Sequence, residues 1–308
     1  MSDVNGVLVV DKPAGMTSHD CVARIRRLYG TKKVGHTGTL DPDVTGVLPI
    51  CLGQATRIVQ YLQDLPKRYE VVMRIGSSTT TEDASGEVIE QRSVNTAEIT
   101  RERMEELLAS FLGEIEQVPP MYSAVKVNGV RLYDLAREGA VVERAARKVT
   151  IYELTLGNIQ PGDGVVDVSF TCTCSKGTYM RTLCVDLGRR LGYPAHMKLL
   201  RRIKSGPFVE EEAIPLAQLE ESAADREELS RKLISIPKAM SFLPAIQVKP
   251  ERVRAVRNGL ATALPGVNAE EGSLICLFSG EELLGIHRVC RGDKGLFAKA
   301  EKVFSSEV

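Results

Sequence analysis

The stretch VVDVSFTCTC, residues 165–174, constrains the fold of this chain more than any other segment, because apolar and polar residues alternate along it from Val166 onward. In an extended strand, successive side chains point to opposite sides of the sheet. One face of this strand is therefore apolar and consists of Val166, Val168, Phe170, Cys172 and Cys174. The other face is polar. The pattern predicts a half-buried strand, with one face in a core and the other toward solvent.

Two of the seven cysteines, Cys172 and Cys174, lie on the apolar face of this strand. Their close spacing also suggests a metal site, but no CxxC pair occurs in the sequence,. Cysteine flanked by valine and phenylalanine on one face of a strand is typical of a small core residue. The pattern therefore favours core packing over a zinc site.

Other segments alternate between helix and strand signals without a regular strand–helix–strand order. Residues 17–30 predict a helix that Thr17 or Ser18 caps and Gly30 ends,. Residues 100–113 predict a second amphipathic helix, ended by Gly113, and residues 180–191 a third,. Strand-like segments lie between them. The irregular order predicts an α+β fold rather than a parallel α/β fold.

Prolines at positions 237, 244 and 250 predict a domain boundary,. The expected domains are residues 1–243 and a small β-rich module of residues 244–308, whose short apolar runs are separated by glycines,. We expect the first domain to carry its own core and to fold without the module. Within it, residues 118–148 begin with a Pro-Pro turn and carry tyrosines and basic residues, which predicts an exposed flap.

Charge is balanced overall, with 40 basic and 40 acidic residues, but it is segregated along the chain. One basic run without acids contains Arg24, Arg26, Arg27, Lys32 and Lys33. Residues 198–204 form a second, whereas residues 210–228 hold eight acids and one arginine. Such patches either bind phosphates or are solvated helix faces. The sequence shows no signal peptide and no apolar run of membrane-spanning length, so we expect a soluble cytoplasmic protein.

A glycine-punctuated loop, KVGHTGTLDPDVTGVLPICLG, holds an aspartate, Asp41, whose backbone is restricted by the following Pro42,. The acids at 41 and 43 also match the start of a calcium-binding loop, but its twelfth position is Leu52 instead of glutamate,. No phosphate-binding GK[ST] motif is present. The residues alone leave two interpretations, an ordinary Asp-Pro turn and a reactive carboxylate that a substrate reaches beside glycines.

Six stretches taken together resemble the bacterial TruB-type tRNA pseudouridine synthases, in register from residue 5 to residue 210. They are VDKPAGMTSHD, KVGHTGTLDPDVTGVLPICLGQATRI, KRYEVVMRIG, QVPPMYSAVKVNGVRLYDLAREG, CSKGTYMRTLCVDLG and HMKLLRRIKSGPF. The resemblance implies a catalytic domain with a mixed or antiparallel sheet, in which the flap clamps RNA, and a C-terminal module of the PUA type. It also implies a monomer that isomerises uridine 55 in the T arm of tRNA to pseudouridine, without a metal or other cofactor.

The resemblance assigns roles to particular residues. The family's catalytic aspartate falls on Asp41, which acts either as a nucleophile or by electrostatic support of the sugar. Arg181 is expected to pair with Asp41 bidentately and to lower its pKa. Tyr69 is expected to pack on the flipped uracil and is a candidate proton acceptor. The substrate-binding set is His36, Tyr69, Tyr179 and Leu200. Weaker RNA contacts are expected from Lys12, Lys126, Arg131 and Arg137. Lys12 is also expected to support the loop of Asp41 rather than to act in catalysis.

Two rival functions remain at this point. One is a uridine isomerase that acts on another RNA, such as ribosomal RNA. The other is a tRNA-binding chaperone that folds tRNA without chemistry, for which Asp41 would be dispensable.

Overall fold

The structure, a computed structural model, describes residues 4–123, 126–127, 129–131, 142–293 and 295–304. The described helices are α1 (Ser18–Tyr29), α2 (Val59–Asp64), α3 (Arg101–Ala109), α4 (Met180–Leu191), α5 (Leu216–Glu221), α6 (Arg226–Arg231), α7 (Ile236–Ala239) and α8 (Val253–Arg257). Short 3-10 turns span Gly53–Ile58, Thr96–Glu98, Glu210–Glu212, Ser222–Ala224 and Pro250–Arg252.

The strands are β1 (Gly6–Lys12), β2 (Val34–His36), β3 (Thr45–Leu52), β4 (Lys67–Ile75), β5 (Ser77–Thr79), β6 (Val88–Gln91), β7 (Gly113–Gln117), β8 (Lys126–Val127), β9 (Val130–Arg131), β10 (Arg147–Pro161), β11 (Val166–Cys174), β12 (Ala195–Ser205), β13 (Phe208–Val209), β14 (Ile214–Pro215), β15 (Ala245–Gln247), β16 (Thr262–Ala263), β17 (Leu274–Ser279), β18 (Glu282–Gly292) and β19 (Gly295–Val303).

The central element is a ten-stranded sheet in the order β14-β1-β3-β12-β4-β11-β10-β7, with β13 beside β12 and β2 beside β3. The pairs β1–β14 and β3–β12 are parallel, and the other pairs are antiparallel. This mixed sheet with helices confirms the predicted α+β class.

The alternating strand β11 lies between β4 and β10, as a half-buried strand should. Its apolar side chains are buried, and Cys172 and Cys174 are 0% and 1% exposed. They pack in the same core as Leu183 and Leu187 of helix α4. The two cysteines are therefore core residues, as predicted.

Helix ends follow the sequence signals with one exception. Thr17 and Asp20 form a capping box at the start of α1, and Gly30 ends it in the left-handed region at φ 64°,. Helix α3 ends at Ala109 rather than at the predicted Gly113. The hydroxyl of Ser110 donates to the Leu107 carbonyl at 2.6 Å, which satisfies a carbonyl of the last turn,. Gly113, at φ 89°, instead begins strand β7.

A second sheet of five strands, in the order β15-β17-β18-β19-β16, forms the C-terminal module. Its side chains Cys276, Ile286 and Phe304 pack in one cluster with Val9 and Val47 of the first sheet. A cut before the module would therefore remove part of a shared core. The expectation that the first domain folds without the module is revised accordingly.

The segregated charges partly neutralise one another. Arg24 of the basic helix α1 pairs with Glu220 of the acidic segment at 3.0 Å, and Arg226 donates to the Leu28 carbonyl at 2.8 Å. Arg201 pairs with Asp11 and Glu210, both at 3.1 Å. These pairs are partly exposed, so each contributes little to stability. Among the described residues, no helix is long and apolar enough to cross a membrane.

Candidate active site

A cleft of about 330 Å³ opens where β4, β12, the start of α4 and the loop after β2 meet. Five residues expected at the site line it: Asp41, Tyr69, Tyr179, Arg181 and Leu200. They come from four separate segments of the chain. The sheet register explains part of this convergence, because β12 and β4 pair Leu200 with Val71 and place Tyr69 two residues away on the same face,.

The loop that carries Asp41 is fixed by a buried lysine. Lys12 is 0% exposed, and its ammonium donates to the carbonyls of Pro13, Met16 and Pro42 at 2.8, 2.5 and 2.8 Å. Burial lowers its pKa. The expected RNA contact of Lys12 is therefore corrected: its ammonium faces backbone carbonyls. It holds the peptide bond between Pro42 and Asp43, which agrees with the expected support of the Asp41 loop.

Arg181 lies beside Asp41, with 3.0 Å between Nη2 and Oδ2. Its side chain is 6% exposed, whereas 43% of the Asp41 side chain is open to the cleft. The guanidinium also donates to the carbonyls of Thr81 at 3.2 Å and Tyr122 at 2.9 Å, and its Nε lies 3.8 Å from Asp83. Its donors are divided among several acceptors, so the expected two-pronged pairing with Asp41 alone is corrected.

The pKa of Asp41 is raised, not lowered as expected. Partial burial of the carboxyl outweighs the neighbouring Arg181 charge, and Asp83 adds a further unfavourable carboxylate,. A raised pKa makes the Asp41 anion less stable, and therefore more basic, than an ordinary aspartate.

The aromatic residues of the cleft are held by different means. Tyr69 is half-buried on β4, and burial raises its pKa. Tyr179 is the N-cap residue of α4, and its backbone exchanges hydrogen bonds with the side chain of Gln117 at 3.0 and 3.2 Å. Leu200 is half-buried on β12. Together these side chains give the cleft apolar walls around one carboxylate.

His36, one of the other expected RNA contacts, does not line the cleft. His36 ends β2, and its Nδ1 accepts a hydrogen bond from the Gly38 N–H at 3.2 Å. Burial and then Arg202 lower its pKa. Lys126 and Arg131 belong to the paired strands β8 and β9. Arg137 lies outside the described residues.

Three charged residues of the site were not predicted. Arg202 and Lys67 line the cleft and are 1% and 5% exposed. Asp83 approaches Arg181 from the turn between β5 and β6. Lys67 shares the apolar face of β4 with Tyr69 and Val71, and this spacing could have indicated burial,.

The mixed sheet, with one aspartate beside a buried arginine in a cleft that also holds aromatic side chains, agrees with the matches to family models. Residues 26–180 match the model described as TruB family pseudouridylate synthase (N terminal domain). Residues 181–240 match the tRNA pseudouridylate synthase B C-terminal domain. The chain belongs to the TruB family of pseudouridylate synthases, and it is an RNA-modifying isomerase.

Its relatives include two bacterial proteins named tRNA pseudouridine synthase B. One, from Halalkalibacterium halodurans, is 46% identical over 313 residues, which cover 99% of each chain. Another, from Geobacillus kaustophilus, is 50% identical over 277 residues, which cover 89% of this chain and 96% of the relative.

Solved structures of related proteins share the fold. An H/ACA RNP bound to a substrate RNA containing 2'-deoxyuridine contains a chain with a TM-score of 0.74 and 28% identity, covering 98% of this chain and 86% of that one. A Cbf5-Nop10-Gar1 complex contains a chain with a TM-score of 0.73 and 31% identity, covering 98% and 85%.

Proposed function

We propose that this chain isomerises uridine 55 in the T arm of tRNA to pseudouridine, with Asp41 as the catalytic carboxylate. The observation that carries the proposal is the placement of Asp41: it is open to the cleft on one side and lies 3.0 Å from the buried Arg181 on the other. The bacterial relatives named tRNA pseudouridine synthase B support tRNA as the substrate.

The reaction breaks the N-glycosidic bond, turns the freed uracil and joins its C5 to the sugar. A base inside a helix or loop stack cannot reach a cleft of this kind, so the uridine must be flipped out of its stack. In the cleft, the Asp41 carboxylate would face the sugar. It would either attack the sugar or stabilise its positive charge as the bond breaks.

The remaining cleft residues would hold the base and the carboxylate. Tyr69, Tyr179 and Leu200 offer apolar and aromatic surface to the uracil ring, which supports their assignment as substrate-binding residues,. Arg181 would orient Asp41 through its charge and through its bonds to two backbone carbonyls. His36 would contact RNA just outside the cleft.

Several finer assignments belong to the same proposal. The β-rich module of residues 244–308 is proposed to be a PUA-type RNA-binding domain, and residues 118–148 a flap that clamps the T loop with Lys126, Arg131 and Arg137. We further propose that the protein acts in the cytoplasm as a monomer, with no metal and no membrane partner.

The proposal is tested with a tRNA transcript whose uridines carry tritium at C5. Incubation with the enzyme should release tritium equivalent to one uridine per tRNA, and chemical mapping should place the pseudouridine at position 55. A transcript with cytidine 55 should release none. Release from another position would replace the proposed target, and tRNA refolding without release would support a chaperone that performs no chemistry.

A further inference from the structure

Arg202 is a buried arginine at the floor of the candidate cleft. Its side chain is 1% exposed, and it donates to the carbonyls of Val47 at 2.7 Å and Gly38 at 3.1 Å. Its neighbour Arg201 has two carboxylate partners, but no carboxylate in the described part of the chain lies within ion-pair distance of Arg202. A buried cation without a counter-ion is expensive to maintain. Its charge is therefore available to a group that becomes negative.

Tyr69 is the group best placed to use this charge. The register of β12 and β4 sets Arg202 directly opposite Tyr69, and both residues line the cleft. The larger effect of burial raises the pKa of Tyr69, and the Arg202 charge acts to lower it. A guanidinium has donors only, so in a hydrogen bond between the two side chains the phenolic oxygen is the acceptor. The O–H proton of Tyr69 is then left to donate elsewhere, and the Tyr69 ring lines the cleft.

A second buried cation extends this positive side of the cleft. Lys67 lines the cleft two residues before Tyr69 on β4. Burial, and then the neighbouring Arg202, lower its pKa to about 8. Arg202 and Lys67 therefore place two buried basic side chains near Tyr69 in the cleft.

We infer that Tyr69, held by Arg202, donates a hydrogen bond to a carbonyl oxygen of the flipped uracil, and that Arg202 is a positioning residue acting through Tyr69. The inference rests on the proposed function, because it needs a uracil in the cleft. When the bond between N1 and the sugar breaks, its electron pair stays on the uracil and is shared with the ring carbonyls. The sugar carbon becomes positive, C5 later bonds to that carbon, and the hydrogen of C5 leaves as a proton.

This arrangement gives Tyr69 a role different from proton acceptor. A fixed donor aimed at an oxygen that becomes negative binds the transition state more strongly than the ground state. Arg202 makes the Tyr69 hydroxyl a stronger hydrogen-bond donor. Its positive charge stabilises the partial negative charge that the phenolic oxygen gains when the O–H donates. Removal of either group should therefore slow bond cleavage more than it weakens RNA binding.

The first test is a double-mutant cycle measured by single-turnover tritium release from a T-arm stem-loop. Tyr69→Phe should lower the rate constant about 100-fold, as loss of one transition-state donor does. Arg202→Lys, which keeps the charge but loses the planar fork, should lower it about tenfold. The double variant should lie within about twofold of Tyr69→Phe, because the two act as one unit. Arg201→Lys, on the same strand but outside the cleft, is the matched control and should keep its rate.

A second test avoids any change at Arg202, in case that variant does not fold. Stem-loops with 2-thiouridine or 4-thiouridine at the target position replace one carbonyl oxygen with sulfur, a weaker acceptor. One of the two thio substrates should lower the rate constant of the wild-type enzyme relative to uridine. The same substrate should not lower the rate constant of Tyr69→Phe, which has no hydroxyl to lose a partner. This would also show which oxygen receives the bond.

The outcomes separate this inference from the proposed function. If the wild-type enzyme releases no tritium from position 55, the proposed function itself fails. If it does, but the losses from Tyr69→Phe and Arg202→Lys multiply in the double variant, Arg202 does not act through Tyr69. If both thio substitutions slow wild type and Tyr69→Phe by the same factor, Tyr69 is not the donor.

Discussion

The ammonium of Lys12 donates to the carbonyl of Pro42 at 2.8 Å, so a fully buried cation fixes the peptide bond between Pro42 and Asp43, one residue after Asp41. The same ammonium holds two further carbonyls, of Pro13 and Met16. Strand β1 and the loop of the candidate catalytic carboxylate are thereby joined through one atom. The position of Asp41 in the cleft depends on this contact as well as on the Asp-Pro backbone.

Lys12→Met should therefore impair turnover without weakening RNA binding. Methionine fills a similar volume but leaves buried carbonyls without donors, at a cost of about 1–3 kcal/mol for each unsatisfied group. We expect a lower melting temperature, a reduced single-turnover rate constant, and a stem-loop Kd within about threefold of wild type, because phosphate contacts elsewhere dominate binding. Weaker binding with a normal rate constant would instead show that Lys12 contacts RNA.

Arg181→Lys should reduce turnover strongly although the charge is kept. A lysine cannot serve Asp41, Asp83 and the carbonyls of Thr81 and Tyr122 at the same time, since it lacks the planar fork of arginine,. We expect a loss of about 100-fold in the single-turnover rate constant. Arg189→Lys is the matched control on the same helix, where the side chain is 77% exposed. Near wild-type turnover of Arg181→Lys would contradict the positioning role.

Asp41 should give the enzyme an acid limb at higher pH than an ordinary aspartate would. Its pKa is raised by burial, so the ionised form that the mechanism requires is lost as pH falls through that raised value,. Ionised Asp41 is needed for activity but lowers the stability of the folded state, because a raised pKa means that the folded state favours the protonated form. Asp41→Asn should therefore melt at a higher temperature than wild type at neutral pH, with a difference that shrinks on acidification. A wild-type advantage at neutral pH would mean that the Arg181 charge outweighs burial.

Phe304 should be essential to the stability of the whole chain. It is 1% exposed in the cluster shared by the two sheets, and the Arg57 guanidinium lies 5.4 Å from its ring centre. Phe304→Ala should lower the free energy of unfolding by about 3 kcal/mol or more, measured in urea. Phe242→Ala, at a residue 38% exposed, should cost clearly less. Equal costs would argue that the module does not share a core with the first domain.

Local patterns predicted much of the fold. The alternation in β11 and the capping signals around α1 depend on nearby residues only, and they were confirmed. The predicted end of α3 at Gly113 was wrong, because a turn at Ser110 ends the helix before that glycine. The shared core was missed, since prolines mark a change of direction but do not show what a module packs against.

The sequence predicted the site residues that lie in recognisable motifs. It did not predict those that only the folded chain brings to the cleft. Asp41 and Arg181 are 140 positions apart in the sequence, and the family resemblance predicted that they pair. Arg202 lies in the basic run of residues 198–204, whose local signal is its charge. Alternation alone does not show that Arg202, between Arg201 and Ile203, is buried without a counter-ion among the described residues. Asp83 sits in a polar turn with no local signal. Whether the pKa of Asp41 is raised or lowered depends on its burial, which the sequence does not show.

The most direct test of the account is tritium release from C5-labelled uridine in a T-arm stem-loop, comparing wild type with Asp41→Asn and Asp43→Asn. Asp43 is the matched control, because it is exposed and lies two residues away in the same loop. We predict that Asp41→Asn abolishes release while its stem-loop Kd stays within about threefold of wild type, because one carboxylate contributes little to binding a polyanion. Asp43→Asn should release tritium at the wild-type rate. Release by Asp41→Asn above the no-enzyme background would contradict the assignment of Asp41 as the catalytic residue.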